Sequence, residues 1–140
     1  MSNYVFDTNS IISANLLAAS VTRQAYDKAL EEGVLLYSKE TLSELAEVFF
    51  RTKFDKYLSI EKRVKEFETF EKKGIAVDVF IKVNACRDSK DNKFLELALT
   101  GKANCIITGD KDLLVLHPFQ GISILTPGDF LKSFSNVPLT

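Results

Sequence analysis

The sequence is poor in the residues that build soft metal sites. Among its 140 residues there are one histidine, His117, and two cysteines, Cys86 and Cys105. Structural zinc sites use sets of Cys and His, so no such set can be assembled here. The cysteines belong to no paired motif, which favours two reduced thiols over a disulfide or a metal role. His117 precedes a proline and is interpreted as structural.

Long apolar runs and low-complexity segments are also missing. No stretch approaches the ~20 apolar residues that span a bilayer. The start, MSNYVFDTNS, has neither the charged leader nor the apolar run of a signal peptide. We therefore expect a cytoplasmic protein without membrane association. Since no repeat or Pro/Gly-rich linker interrupts the chain, residues 1–140 are predicted to form one domain.

Four short acidic clusters lie where strands are predicted to end or helices to begin. They are Asp7 in YVFDTN, Glu44 in TLSELAEVF, Asp88 and Asp91 in RDSKDNKFLELAL, and Asp110 and Asp112 in CIITGDKDLL. The net charge is −1, yet the other 13 acidic residues face 18 basic ones. A local acidic pit on an otherwise basic body can hold a cation and still attract a polyanion.

Short apolar strands alternate with amphipathic helices along the chain. Strands are predicted near residues 4, 35, 77, 106 and 123, the third extending over 75–81. Helices are predicted from Ile11 to Leu17 and over 22–32, 41–51, 59–73, 92–100, 111–116 and 127–134. This alternation predicts an α/β fold of right-handed βαβ units around a parallel sheet. Ligands of such sheets bind beyond the carboxyl ends of the strands, where Asp7 and Asp110 are expected.

Each acid also has an ordinary structural explanation. Asp is a favoured N-cap residue. The acids that can cap a following helix are Asp7, Asp88 or Asp91, and Asp110 or Asp112. Glu44 stands three residues after Thr41, which matches a capping box. A helical wheel also places Glu44 away from the apolar face of its helix.

The joint pattern favours a metal site over these separate explanations. Two like charges at ~4 Å cost on the order of 4 kcal/mol at an effective dielectric of 20. A fold accommodates converging acids if a divalent cation lies among them, or if one carboxylate stays protonated. Ligation by oxygen alone favours Mg²⁺ or Mn²⁺. A metal-dependent phosphodiesterase is therefore expected rather than a binding module.

The motifs together match a known family. The chain resembles the PIN-domain nucleases, in particular the VapC-like branch of toxin components of toxin–antitoxin pairs. The resemblance covers nearly the whole chain, and the order and spacing of its five blocks are more specific than any single acid. The blocks are YVFDTNSIISA, SKETLSELAEVFFRTKF, DSKDNKFLELAL, CIITGDKDLL and ILTPGDFL.

The resemblance implies a three-layer α/β/α fold with a central five-stranded parallel sheet of order 3-2-1-4-5. The implied catalytic quartet is Asp7, Glu44, Asp91 and Asp110, and the implied metal ligands are Asp7, Asp91, Asp110 and Asp112. Asn9 and Thr108 match positions that orient carboxylates by hydrogen bonding. Asp88 is a further supporting candidate, although many relatives read Asp-Pro-Lys-Asp where this chain has Ser89.

The activity implied by the resemblance is endonucleolytic cleavage of RNA by water activated on one or two Mg²⁺ or Mn²⁺ ions. A cognate antitoxin and a homodimer are implied partners. The alternative is a PIN-like module that binds RNA or protein without effective cleavage. A haloacid-dehalogenase-like phosphatase is disfavoured, because Asn9 occupies the third position of the expected Asp-x-Asp pattern.

The densest basic stretch is a candidate for contact with the RNA backbone. It consists of Arg51, Lys53, Lys56, Lys62, Arg63 and Lys65. Interleaved acids such as Asp55 leave open that this is only a solvated charged surface. Four aromatic residues in and before the stretch are interpreted as core or interface residues rather than as platforms for bases. They are Phe49, Phe50, Phe54 and Tyr57.

Overall fold

Five short strands form one parallel sheet in the computed structural model, which describes residues 2–135. The strands are β1 (Ser2–Phe6), β2 (Gly33–Tyr37), β3 (Ile75–Ala76), β4 (Cys105–Ile107) and β5 (Ser123–Leu125). Their order is β3-β2-β1-β4-β5, and every pairing is parallel. The predicted α/β fold with strand order 3-2-1-4-5 is therefore confirmed.

Helices cover both faces of this sheet. They are α1 (Thr8–Leu16), α2 (Val21–Glu32), α3 (Lys39–Phe49), α4 (Ile60–Lys73), α5 (Asn92–Thr100), α6 (Lys111–Leu114) and α7 (Pro127–Ser135), with 3₁₀ turns at Thr52–Phe54 and Ser89–Asp91. Side chains of β1 alternate between two cores: Tyr4 and Phe6 pack on one face, and Val5 on the other. Burial on both faces explains why the strands read as unbroken apolar runs. Between residues 2 and 135 no helix is long and apolar enough to cross a membrane.

The third strand is much shorter than the predicted range 75–81. Its pairing with β2 ends with the Val77 N–H, which donates to the Tyr37 carbonyl at 2.8 Å. β3 lies at the sheet edge, where Ile75 and Phe80 remain 47% and 87% exposed. The alternating apolar pattern therefore predicted too long a strand, because no other strand or helix in the described part of the chain covers these side chains.

The start of α3 differs from the predicted capping box. Ser38 is the N-cap: its hydroxyl accepts from the Thr41 N–H at 3.1 Å, while the Thr41 hydroxyl accepts from the Ser38 N–H at 2.9 Å. The box predicted between Thr41 and Glu44 is therefore wrong. Because the helix begins two residues earlier than predicted, Glu44 has no capping role.

The single histidine and the two cysteines contribute to the structure of the fold. His117 accepts a hydrogen bond at Nδ1 from the Ile124 N–H at 2.8 Å, which holds the segment before β5. Cys86 and Cys105 are both buried and unpaired. The interpretations of a structural histidine and of two free thiols are confirmed.

Arg63 is a correction to the predicted RNA-binding set. Its side chain is 0% exposed. The guanidinium donates to three backbone carbonyls, those of Leu58 at 2.9 Å, Phe49 at 3.1 Å and Arg51 at 3.2 Å, and it pairs with the Asp55 carboxylate. It therefore cannot reach an RNA backbone. Instead it fixes the loop between α3 and α4.

Replacing Arg63 by Met should destabilise the fold strongly. The substitution preserves volume but leaves three carbonyls and a carboxylate without their donor, and each such loss costs about 1–3 kcal/mol. We expect the free energy of unfolding to fall by roughly 3 kcal/mol or more, measured by urea denaturation. Lys62→Met, at the exposed neighbouring position, is the control and should stay close to wild type. Equal stability of the two variants would contradict the role of Arg63.

Candidate metal centre

Strand pairing brings two of the predicted carboxylates to one edge of the sheet. β1 pairs with β4 in a register that places Phe6 opposite Ile107. Asp7 follows β1 directly, and Thr108 follows β4 two residues before Asp110. Because parallel strands end at the same edge, these residues meet in space.

Thr108 joins the two carboxylate segments. Its hydroxyl donates to Asp7 Oδ2 at 2.5 Å and accepts from the Asp110 N–H at 2.9 Å. The residue is 0% exposed, so water does not compete for these bonds. The geometry matches the orienting role predicted for this position.

Asp7 is both an N-cap and a buried acid. Its Oδ1 accepts from the Ser10 N–H at 2.9 Å at the start of α1. Burial raises the pKa of Asp7, and the charge of Asp110 adds to this, while hydrogen bonds from Ser10 and Thr108 oppose it. The capping explanation is therefore correct for Asp7 without excluding a ligand role, since a carboxylate has about four lone-pair sites.

Asp91, Asp110 and Asp112 form the tightest acidic group in the part of the chain that the structure describes. One carboxylate oxygen from each lies within 4.8 Å of the other two. Asp91 comes from the turn before α5, whereas Asp110 and Asp112 flank the start of α6. Asp110 also caps α6 by accepting from the Asp112 N–H at 2.8 Å. Three of the predicted metal ligands are thus brought together.

The electrostatics of Asp91 show the strain of this arrangement. Burial raises the pKa of Asp91 to about 7, helped by a hydrogen bond with Asp110 and by the charges of Asp110, Asp88 and Asp7. The Oδ2 atom of Asp91 is buried and has no hydrogen-bond partner among residues 2–135. A buried acceptor among like charges is a place where a cation would be stabilised.

Two acids at the rim of the group have other partners. Asp88 is exposed and caps the turn before α5 by accepting from the Lys90 N–H at 3.0 Å. Asp112 accepts from Arg87 Nε at 3.3 Å, and the Arg87 side chain is 88% exposed. Asp88 acts on the centre through its charge on Asp91. The pair of Asp112 with Arg87 is solvated, and such a pair is readily exchanged.

Glu44 is already paired with side chains that are close in sequence to two of the acids. Its Oε1 accepts from the Thr8 hydroxyl, and its Oε2 accepts from Lys93 Nζ. Thr8 directly follows Asp7, so its hydrogen bond links Glu44 on α3 to the start of α1, next to Asp7 in sequence. The structure thus gives Glu44 two polar partners from other helices, in place of the capping role that the sequence suggested.

Besides Ser10 and Arg87, which contact Asp7 and Asp112, the sequence interpretation missed the two partners of Glu44, Thr8 and Lys93. Both lie within the recognised blocks, at the second position of Asp-Thr-Asn and two residues after Asp91. Neither carries a carboxylate, the group from which the metal ligands were predicted. Asn9, which was expected to orient a carboxylate, is exposed and lines a cleft of about 380 Å³ in front of Asp7 and Asp110.

The residues of the predicted basic stretch have different surroundings. Arg63 is buried, and Arg51 pairs with Glu47 at 2.7 Å. Lys65 lines a separate groove of about 310 Å³ between α2 and α4. Lys53 and Lys56 project from the loop between α3 and α4.

Comparisons with known proteins agree with this architecture. The PIN domain family model matches residues 3–112. The chain is 33% identical to an uncharacterized protein of Methanocaldococcus jannaschii, over 93% of this chain and 90% of the relative. Its fold is similar to PAE2754 from Pyrobaculum aerophilum, with a TM-score of 0.59 and 13% identity over 96% of this chain and 91% of the other. It is also similar to a chain of VapBC2 from Rickettsia felis, solved with a DNA fragment from their promoter, with a TM-score of 0.56 and 11% identity over 87% of this chain and 96% of the other. These two structural likenesses are evidence of fold, whereas the sequence match decides the family: the chain belongs to the PIN domain family.

Proposed function

We propose that the protein is a metal-dependent endoribonuclease of the VapC-like branch, acting as the toxin of a toxin–antitoxin pair. The observation that carries the proposal is the convergence of Asp91, Asp110 and Asp112, whose oxygens lie within 4.8 Å of one another. Asp7 joins them through Thr108. Membership of the PIN domain family supports a nuclease, and the similarity to VapBC2 supports the toxin assignment.

The centre suits a hard divalent cation. Its donors are carboxylate oxygens, which Mg²⁺ and Mn²⁺ prefer. The buried, unpartnered Asp91 Oδ2 is the atom with most to gain from a cation. We propose Asp7, Asp91, Asp110 and Asp112 as ligands of one or two ions, with Glu44 completing the catalytic quartet and Asp88 contributing charge.

The chain supplies positioning and electrostatics for the hydrolysis. Asp7, Asp91, Asp110 and Asp112 would hold the Mg²⁺ or Mn²⁺, which would supply a water of lowered pKa and positive charge beside the phosphate. The Thr108 hydroxyl bonds both the carboxylate of Asp7 and the backbone N–H of Asp110, which keeps these two residues in position relative to each other. In the adjacent cleft, Asn9 and Ser13 offer donors for phosphate oxygens. Lys93 balances the charge of Glu44, which limits repulsion of the incoming phosphate.

The proposed partners follow from the same assignment. The VapBC2 similarity supports a cognate antitoxin, and a homodimer and a cytoplasmic location are expected for this branch. RNA is the proposed substrate. His117 takes no part, because its Nδ1 accepts a backbone N–H, so a 2′,3′-cyclic phosphate route that relies on histidine is not part of the proposal.

A second candidate is a PIN-like module that binds RNA or protein and cleaves weakly or not at all. Two ion pairs favour it, because Lys93 neutralises Glu44 and Arg87 pairs with Asp112. If these pairs persist when a metal is offered, the centre has too little free negative charge to hold one. Cleavage and metal binding therefore have to be measured separately.

Asp7→Asn and Asp110→Asn should each abolish Mn²⁺-dependent cleavage of RNA while the fold is retained. Asn is as good an N-cap as Asp, so α1 and α6 keep their caps, whereas a charged ligand is lost. Cleavage is followed on structured RNAs by gel, and metal binding by the Mn²⁺-dependent rise in melting temperature. Asp27→Asn, an exposed acid paired with Arg23, is the control. Full activity of either site variant would contradict the assignment.

Lys93→Met should tighten the binding of Mn²⁺ by several-fold. The ammonium that neutralises Glu44 is removed, which adds one negative charge to the centre. Calorimetric titration measures the change, and Lys90→Met, at an exposed position, is the control. Weaker binding than wild type would mean that Lys93 supports the ligand geometry rather than opposing the cation.

Binding of Mn²⁺ should release a proton in weakly acidic solution. The pKa of Asp91 is raised to about 7, so its carboxyl is mostly protonated below pH 7, and a cation must displace that proton. About one proton should be released per ion near pH 6 and almost none near pH 8, so that affinity rises with pH up to about 7 and then levels off. Calorimetry in two buffers of different ionisation enthalpy measures the proton count. Equal release at both pH values would count against Asp91 as the displaced acid.

A further inference from the structure

An apolar groove of about 280 Å³ opens beside the acidic cleft. One wall is the end of α1 and its C-cap, with Leu16 and Leu17, and the other is the loop between α3 and α4, with Phe54 and Tyr57. Asn9 and Ser13 of α1 line both this groove and the cleft that contains Asp7 and Asp110. The two cavities are therefore adjacent and share part of a wall, so a strand that crosses the acidic centre can extend along α1 toward the groove.

The loop side of the groove combines aromatic faces with cations. Lys53 Nζ lies 5.1 Å from the centroid of the Phe54 ring, and Lys56 Nζ lies 5.1 Å from that of Tyr57. Within residues 2–135 neither lysine is ion-paired with an acid. Aromatic rings beside unpaired cations are the combination that binds single-stranded nucleic acid: bases stack on the rings, and phosphates meet the cations.

The buried Arg63 explains why this loop is positive and fixed. Asp55 stands between the two lysines in sequence, but its carboxylate is paired with the Arg63 guanidinium. Arg63 also holds the carbonyls of Phe49, Arg51 and Leu58, which bracket the loop. The charge of Asp55, which favoured a merely solvated surface, is thus neutralised by the buried Arg63. The same contacts fix the loop that carries Tyr57.

Tyr57 itself is not a core residue. It is 54% exposed, whereas Phe49 is buried and Phe50 and Phe54 are partly buried against the core. Core packing therefore accounts for Phe49, Phe50 and Phe54, whereas for the exposed Tyr57 only the interface half of that interpretation stays open. An exposed ring at the mouth of a groove loses little stability when substituted, which makes it a suitable probe.

We propose that this groove is a nucleotide subsite, in which a base next to the scissile phosphate stacks on Tyr57 while flanking phosphates contact Lys53 and Lys56. The proposal rests on the nuclease function proposed above and specifies its substrate as single-stranded RNA at this position. Charge complementarity with phosphate and the wall shared with the acidic cleft favour a nucleic acid over a second protein surface. Arg51, paired with Glu47, is not part of the subsite.

The test separates base stacking from attraction to the backbone. Fluorescence anisotropy measures the affinity of the full chain for a labelled oligouridylate of about 12 nucleotides and for an abasic ribose-phosphate oligomer of equal length. Ca²⁺ replaces Mg²⁺ in these titrations, and a gel checks that the RNA stays intact. Tyr57→Leu should weaken RNA binding about ten-fold and leave the abasic oligomer unaffected, because one stacked base is lost. Tyr57→Phe, which keeps the ring, should match wild type.

The lysines give the complementary result. Replacing Lys53 and Lys56 together by Gln should weaken both probes and flatten the dependence of affinity on salt concentration, since two phosphate contacts are removed. Three outcomes overturn the subsite: unchanged RNA affinity in Tyr57→Leu, an equal loss for both probes in that variant, or a wild-type chain that binds neither. Sedimentation is run in parallel. If Tyr57→Leu dissociates a dimer without changing RNA affinity, the groove is instead a face between two copies.

Failure of the subsite can be told apart from failure of the nuclease assignment. If wild type binds RNA through its bases but does not cleave it with Mg²⁺ or Mn²⁺, the subsite stands and the catalytic proposal falls. If wild type cleaves RNA and Tyr57→Leu binds and cleaves it equally well, the catalytic proposal stands and the subsite falls.

Discussion

Repulsion among carboxylates gathered at one edge of the sheet is the constraint on which the site depends. Asp7, Asp91, Asp110 and Asp112 come from three separate stretches of the chain, and parallel pairing of β1 with β4 gives two of those stretches a common end. The electrostatic cost is met locally, by a raised pKa of Asp91, by donors to Asp7 and by the ion pair of Asp112 with Arg87. A divalent cation bound among these carboxylates could take over the stabilising role of each of these interactions.

Two cationic side chains, Lys93 and Arg63, make contacts that the charge pattern of the sequence does not reveal. Lys93 lies on α5, which begins directly after Asp91, and its ammonium pairs with the carboxylate of Glu44. The charge of Glu44 is therefore balanced by a residue from the same segment as Asp91. Arg63 holds the loop after α3 by its carbonyls and neutralises Asp55. Lys93 lowers the net negative charge near the metal centre. Arg63 fixes the conformation of the loop after α3 and leaves that loop with a net positive charge. Both depend on contacts between residues distant in sequence.

Much of the fold could be predicted because its signals are local. Short apolar runs that alternate with amphipathic helices are enough to predict the parallel sheet, and the motif blocks supply its order. The failures are equally informative. The alternation over 75–81 suggested a long strand, yet an edge position without a covering element left only Ile75–Ala76. The match of Thr41 with Glu44 to a capping box failed because Ser38, nearer the strand, provides the cap.

By itself the sequence determined the fold class, the family and the set of acids from which a metal centre can be built, since these depend on residue type, order and spacing. Tertiary structure alone decided how those acids are used. Packing brought Asp91 against Asp110, paired Glu44 with Thr8 and Lys93, and placed Thr108 between Asp7 and Asp110. It also buried Arg63 and left Tyr57 at the mouth of a groove. Charge and exposure at a residue depend on neighbours from other elements, which no local pattern records.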